Sequence, residues 1–195
     1  MILDLRQPRQ LNRGGKPGYE VVYCAQAAVP APDSALACSR YRAAVPAEIQ
    51  ISPVAPGEFE RLLPLIAAYQ RFYEAEDIDE ERNRGFFRRF LAPSEVGMLL
   101  AAREGEEIAG YACLYWSFSS TQAVETVLMN DLFVGEDARG RGVGRALIEA
   151  SAEVARERDA AQLEWATAPD NLTAQRLYDS TGAARSEWIE YELGL

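Results

Sequence analysis

The chain has 195 residues, 48% of them hydrophobic and 26% charged, and a formal net charge of −10. That is enough chain to bury one sizeable core without a metal or disulfide staple. No window approaches the ~18 consecutive apolar residues of a membrane span, and the absence of histidine excludes a His-based triad or a His-ligated metal.

The charge is unevenly spread. Residues 1–47 hold six basic and three acidic side chains, net +3, which leaves −13 on the remainder. An acidic body disfavours non-specific nucleic-acid binding and suits cationic partners. Cys24, Cys38 and Cys113 form no close-spaced pair, which argues against a zinc site and for a reducing compartment. With no apolar leader at the N-terminus, a cytoplasmic protein without membrane attachment is expected.

Residues 1–47 are rich in proline, glycine and turn dipeptides and lack periodicity, so they are expected to form a flexible extension, with a short strand at Glu20 to Cys24. From residue 48 the pattern is that of one domain. Glu48 to Val54 reads as a strand. Pro56 then opens a helix, with Phe59, Leu62, Leu63, Ile66, Tyr69 and Tyr73 at helical spacing. Asp79 to Leu91 is a second helix, stopped by Pro93. Val96 to Ala102 and Ile108 to Trp116 are strands joined by a hairpin at Glu104-Gly105-Glu106.

Thr126 to Val134 is a buried strand. It leads through an acidic turn into Arg139-Gly140-Arg141-Gly142-Val143-Gly144-Arg145, and a helix follows whose face is Val143, Leu147, Ala150 and Val154. Glycines at 140, 142 and 144 let an anion approach backbone N–H groups at the positive end of a helix dipole, and three arginines add charge. The spacing lacks the Gly-Lys-Ser/Thr of a Walker loop and the Gly-x-Gly-x-x-Gly of a dinucleotide site. Gln162 to Thr167 is a further strand. Asp170-Asn171 caps a helix running to Ser180, Gly182 ends it, and Trp188 to Leu193 is a last strand.

The Arg-x-x-Gly-x-Gly run from Arg139 to Gly144, after Asp131-Leu132-Phe133-Val134, resembles the acetyl-coenzyme A pyrophosphate loop and central strand of the GNAT acetyltransferase superfamily. Asn171-x-x-Ala174-x-x-Leu177-Tyr178-x-x-x-Gly182 resembles that family's second cofactor segment. The resemblance covers residues 48–195. It implies an α/β (α+β) fold: a mixed, mostly antiparallel sheet flanked by helices, in the order β-α-α-β-β-β-α-β-α-β.

The function implied is an acetyl-coenzyme A-dependent N-acetyltransferase that acts on a primary amine of a small molecule or protein, by direct transfer in a ternary complex. By the resemblance, Gly140, Arg141, Gly142, Val143, Gly144 and Arg145 hold the pyrophosphate with Arg139. Leu132, Phe133 and Val134 pair with the pantetheine arm through their backbone. Asn171 hydrogen-bonds that arm beside Ala174, and Tyr178 protonates the departing thiolate.

Some family members carry a glutamate base where this chain has Asn130, which cannot take a proton near neutral pH. Asp131, Glu74 and Glu125 are then the candidate bases, with ordered water as an alternative. A weaker resemblance to polyamine- and histone-type members points to an acceptor pocket with Tyr73 and Glu74 on one side and Tyr115, Ser117 and Phe118 on the other, since aromatics beside carboxylates suit a cation. No metal is implied. A homodimer follows by analogy alone. Asn130 also leaves open a non-catalytic acyl-coenzyme A-binding or regulatory module.

Overall fold

A computed structural model describes residues 49–189 and 191–194; the N-terminal extension expected over 1–47, with its short strand, lies outside the described residues. Among the described residues the sheet has five strands in sequential order. They are β1 (Ile49–Pro53), β2 (Gly97–Glu104), β3 (Glu107–Ser119), β4 (Val124–Val134) and β5 (Leu163–Glu164). The first four are antiparallel and β5 runs parallel to β4. The helices are α1 (Phe59–Phe72), α2 (Glu80–Phe87), α3 (Val143–Glu157) and α4 (Leu172–Asp179).

Strand alternation sends side chains to two cores. Leu99, Ala101, Tyr111, Cys113 and Phe133 face α1, where Phe59, Leu62, Leu63 and Ile66 cover them. Leu100, Ala112, Leu114, Val127 and Met129 face α3, whose Val143, Leu147 and Ala155 close the other side. Leu177 and Tyr178 of α4 pack at the edge of that second core. This is the expected mixed sheet flanked by helices.

The differences from expectation have local causes. Helix α1 starts at Phe59 and not at Pro56, because Ala55 to Glu58 form a turn in which the Glu58 N–H donates to the Ala55 carbonyl at 3.0 Å. That turn is clamped by Arg103, which donates to Glu58 Oε1 at 2.9 and 2.6 Å. Helix α2 ends at Phe87, and residues Arg88–Phe90 tighten into a 3-10 turn. Leu91 is already extended, with φ −74° and ψ 136°, which ends the helical run ahead of Pro93.

Strand β5 spans two residues instead of Gln162 to Thr167. The expected terminal strand is not formed: none of the described residues in 183–194 is in a strand, and Trp188, Ile189, Tyr191 and Leu193 are exposed. A strand needs a ladder to pair with, and two-residue β5 presents almost none.

Strands β2 and β3 approach so closely over the 3-10 turn that a Cβ at Gly97 would lie 1.9 Å from the Leu114 carbonyl oxygen and 2.7 Å from the Phe90 ring. The backbone oxygen cannot yield. Gly97→Ala is therefore expected to destabilise the domain by about 2 kcal/mol or more, as overpacking does, read as a lower urea midpoint. An unchanged midpoint would contradict this packing.

Candidate active site

The site forms where β4 and β5 separate. Their pairing is confined to Val127 with Leu163 and Leu128 with Glu164, so from Met129 to Val134 the β5-side edge of β4 has no strand partner among the described residues. At the point of separation β4 carries a bulge: Asp131 pairs with Cys113 and Met129 with Leu114, which leaves Asn130 as the extra residue. A bulge bends its strand and re-aims the flanking side chains. Asn130 is turned outward and exposed, while Asp131 is turned inward and 6% exposed.

The open edge ends at the glycine loop. Gly140 and Gly142 have φ of +75° and +86°, the left-handed region that glycine adopts without strain, and a Cβ at either would meet nothing within 4 Å. Gly142 is the N-cap of α3, whose first intrahelical bond runs from the Ala146 N–H to the Gly142 carbonyl at 3.0 Å. The N–H groups of Val143, Gly144 and Arg145 are therefore first-turn donors without an intrahelical acceptor. Open space above left-handed glycines and a bare helix N-terminus fit a pyrophosphate.

The other loop residues serve differently. Val143 is buried and contributes only main chain. Gly144 sits closely against α4: a Cβ there would lie 3.0 Å from Leu177 Cδ2 and 3.7 Å from Val134 Cγ2, so the leucine would have to give by a few tenths of an ångström. Arg139 donates from Nε to the Val134 carbonyl at 3.1 Å and lies 5.8 Å from the Phe133 ring centre. Arg141 is paired with Glu104. Arg145 reaches α4, donating to Ser180 Oγ at 2.5 Å and its carbonyl at 3.2 Å. The pattern that suggested three anion-binding arginines thus includes two engaged by protein partners far along the chain.

Helix α4 is placed by its cap, since Asn171 Oδ1 accepts from the Ala174 N–H at 3.1 Å. The Asn171 carbonyl oxygen is committed, and its amide nitrogen is the group left for a ligand. Tyr178 packs edge-on against Trp165 at 5.5 Å. Burial, with Tyr73 nearby, pushes its phenol up to about 12, so near neutral pH it keeps its proton.

Asp131 is the perturbed acid of the site. Burial raises its carboxyl to about 6, partly offset by the hydrogen bond from Asn130 and by the neighbouring Tyr69 phenol. Asn130 Nδ2 donates to Asp131 Oδ1 at 2.9 Å. Burial likewise raises Cys113 and Tyr115, each of which feels Asp131. Glu125 is not brought to this point: it lies at the start of β4, opposite Phe118, and 3.8 Å from Arg158.

A groove of about 550 Å³ opens between the end of α1 and the start of α4, lined by Phe72, Tyr73, Glu74, Asp170, Asn171 and Thr173 among others. Glu74 has a left-handed φ of +56°. Among the described residues neither Glu74 nor Asp170 has an ion-pair partner. Asp170 was not legible as a groove residue, because only the fold brings it to α1.

Tyr115 stacks on Phe90 at 5.1 Å and lies on the Asp131 face of β3. Ser117 follows on that face by alternation. Alternation turns Phe118 to the opposite face, where it is 78% exposed. Among the described residues no Cys, Asp and Glu cluster could hold a metal, and no helix is long and apolar enough to cross a membrane.

The burial of Asp131 has a stability consequence. Its folded carboxyl titrates at about 6, above the ordinary value of 3.8. Its contribution is then full below pH ~4 and is lost as pH rises through about 6. The difference in unfolding free energy between Asp131→Asn and the parent should move in favour of the variant between pH 4 and 7.5, by on the order of 2 kcal/mol. Urea titrations at both pH values check this, and a pH-independent difference would contradict it.

Comparison with known proteins supplies the context. The acetyltransferase (GNAT) family pattern matches residues 62–183. The chain is 34% identical over 122 residues to an uncharacterized N-acetyltransferase, YhfO, of Bacillus subtilis, covering 62% of this chain and 80% of that protein. It is 30% identical over 132 residues to a thialysine N-epsilon-acetyltransferase of Bos taurus, covering 65% and 77%. A D-amino-acid N-acetyltransferase of Saccharomyces cerevisiae is 33% identical over 132 residues, covering 67% and 81%. Among solved structures, that of a probable acetyltransferase superposes with a TM-score of 0.66 at 30% identity, over 75% of this chain and 97% of the other.

Proposed function

Since this chain belongs to the acetyltransferase (GNAT) family, we propose that it moves the acetyl group of acetyl-coenzyme A onto a primary amine of a small molecule or peptide, by direct attack with both substrates bound. The chain is an acyltransferase, as its relatives are. The carrying observation is the edge of β4 left without a strand partner among the described residues, which runs from the Asn130 bulge to the glycine loop at the start of α3.

Acetyl-coenzyme A, when bound, supplies an activated acetyl group. The chain's own residues do the rest. N–H groups of Val143 to Arg145 and the left-handed glycines hold the pyrophosphate. Leu132 to Val134 offer main-chain donors and acceptors to the pantetheine amides in the manner of an added strand. An N–H at the bulge polarises the thioester carbonyl, an effect of about 2.7–4 kcal/mol for comparable backbone donors. The Asn171 amide nitrogen steadies the arm.

Tyr178 acts as the acid. Its raised pKa keeps the proton in place until sulfur takes it. Asp131 is the proton acceptor for the incoming ammonium. Its carboxyl, at about 6, is mostly ionised at neutral pH and still basic enough to take a proton. The amine enters through the groove between α1 and α4, where Tyr73 and Phe72 offer ring faces and Glu74 and Asp170 offer charge.

A thiol-release assay with acetyl-coenzyme A across thialysine, D-amino acids, diamines and lysyl peptides tests the reading. Activity on at least one primary amine is expected, and Tyr178→Phe should lose at least tenfold in kcat, roughly 1.4 kcal/mol of barrier. No thiol release with any amine, despite coenzyme A binding, would overturn the transferase assignment for these acceptors. In the parent, activity should rise with pH through about 6 as Asp131 ionises. An acid limb that persists in Asp131→Asn would remove Asp131 from the mechanism.

A further inference from the structure

Helix α4 carries Tyr178, yet it has little core to hold it in place. None of its eight residues is buried, and Leu177 and Tyr178 reach only the edge of the second core. Strand β5 before it spans two residues, and the described residues after Gly182 form neither helix nor strand. A helix this short is not stable on its own and depends on contacts at its ends. The Asn171 cap fixes its N-terminus. Its C-terminus is fixed from another helix.

Arg145 stands in the first turn of α3, among the backbone donors that follow the glycine loop. A cation there opposes the positive end of its own helix dipole, so its placement calls for a partner elsewhere. The partner is α4. Arg145 Nη2 donates to Ser180 Oγ at 2.5 Å and to the Ser180 carbonyl at 3.2 Å, at the end of that helix. Ser180 Oγ in turn donates to the Leu177 carbonyl at 2.5 Å. That carbonyl belongs to the peptide bond leading into Tyr178. A chain of hydrogen bonds thus runs from the guanidinium, through one hydroxyl, to the backbone of the tyrosine.

We propose that Arg145 is a positioning residue for the acetyl transfer: by holding the C-terminal end of α4 onto the first turn of α3, it sets where the Tyr178 phenol stands relative to the pyrophosphate loop. The role rests on the assignment of Tyr178 as the acid. One turn of α3 then serves both ends of the coenzyme, its N–H groups holding the pyrophosphate and its arginine placing the proton donor for the thiolate. Arg139 and Arg141 are committed otherwise, to the Val134 carbonyl and to Glu104. Without the guanidinium, α4 rests on the Leu177–Gly144 contact and on the edge-on pair of Tyr178 with Trp165. Ser180 is exposed and can turn to water, so the loss is one of position and not of fold. A phosphate ligand and a positioning residue leave opposite kinetic signatures: the first raises KM for acetyl-coenzyme A, the second lowers kcat.

The test uses the full chain with acetyl-coenzyme A and the best amine from the panel, for the parent, Arg145→Ala, Tyr178→Phe, the double variant and Arg156→Ala. For Arg145→Ala, kcat should fall at least fivefold, with KM for acetyl-coenzyme A within twofold of the parent. In the Tyr178→Phe background the same change should cost less than twofold, because the hydroxyl it positions is gone. Hydrogen exchange read by mass spectrometry should quicken over residues 172–181 in Arg145→Ala and stay unchanged in β2 and β3. Arg156→Ala, at the far end of α3 and paired there with Glu153, should match the parent in each measurement. Arg145→Met keeps an unbranched, helix-favouring side chain without the donors, and serves if Arg145→Ala fails to fold.

A smaller loss of kcat in Arg145→Ala, a larger rise in KM, or unaltered exchange over residues 172–181 overturns the proposal. A loss of twofold or more in the Tyr178→Phe background also overturns it, since Arg145 would then act elsewhere. So does a matching effect of Arg156→Ala, which would report only a weakened α3. Tyr178→Phe alone separates the two failures. If it keeps the parent's kcat, the acid assignment falls and takes the role of Arg145 with it. If it loses kcat while Arg145→Ala does not, only the role of Arg145 falls.

Discussion

One inserted residue in β4 shapes this molecule's chemistry. With Asn130 bulged out of the ladder, the strand before it pairs with β5 and the strand after it does not. A β-strand edge in a soluble protein is normally paired, covered or charged. Here the four residues past the bulge, Asp131 to Val134, have no strand partner on the β5 side among the described residues, and that edge runs to a helix N-terminus whose cap is a left-handed glycine. The same bulge turns Asp131 inward beneath α1. Slot and buried acid therefore share a single backbone cause.

The second constraint is the seam between α3 and α4. Gly144 lets the Leu177 side chain come within contact of the α3 backbone, and Arg145 spans the seam to the C-terminal carbonyl of α4, where a cation complements the helix dipole. Tyr178 lies between these two contacts, so its phenol inherits a position set by α3. Arg141 is likewise paired with Glu104 at the β2–β3 hairpin. The anion-binding power of the loop consequently rests on backbone donors more than on its arginines.

Electrostatically the site is built from groups that resist ionising. The buried phenols and Cys113 are all raised by desolvation, and Asp131 is held near 6 by the same cause. In such surroundings a carboxylate and a phenol keep distinct protonation states at neutral pH, one mostly ionised and one neutral, as acid–base work on an amine and a thiolate requires. The carboxylates at the groove mouth, Glu74 and Asp170, add a local attraction for cations to the acidic charge of residues 48–195.

What the amino-acid order determined by itself was whatever depends on neighbours in the chain. The hairpin at Gly105, the left-handed turn before Val143, the Asn171 cap and the apolar faces of α1 and α3 are local, because turn chemistry, capping and periodicity act over a few residues. Tertiary structure decided what depends on partners distant in sequence. Gly144 is a packing glycine because Leu177 lies over it, and Asp131 is a perturbed acid because Tyr69 and Tyr111 close above it. Phe118 is exposed because strand alternation turns it to the face opposite Tyr115. The described residues of the apolar stretch after Glu187 form no strand, because β5 is too short to pair with them. Hydrogen-bond ladders and desolvation are properties of what surrounds a residue, and one-dimensional order does not contain them.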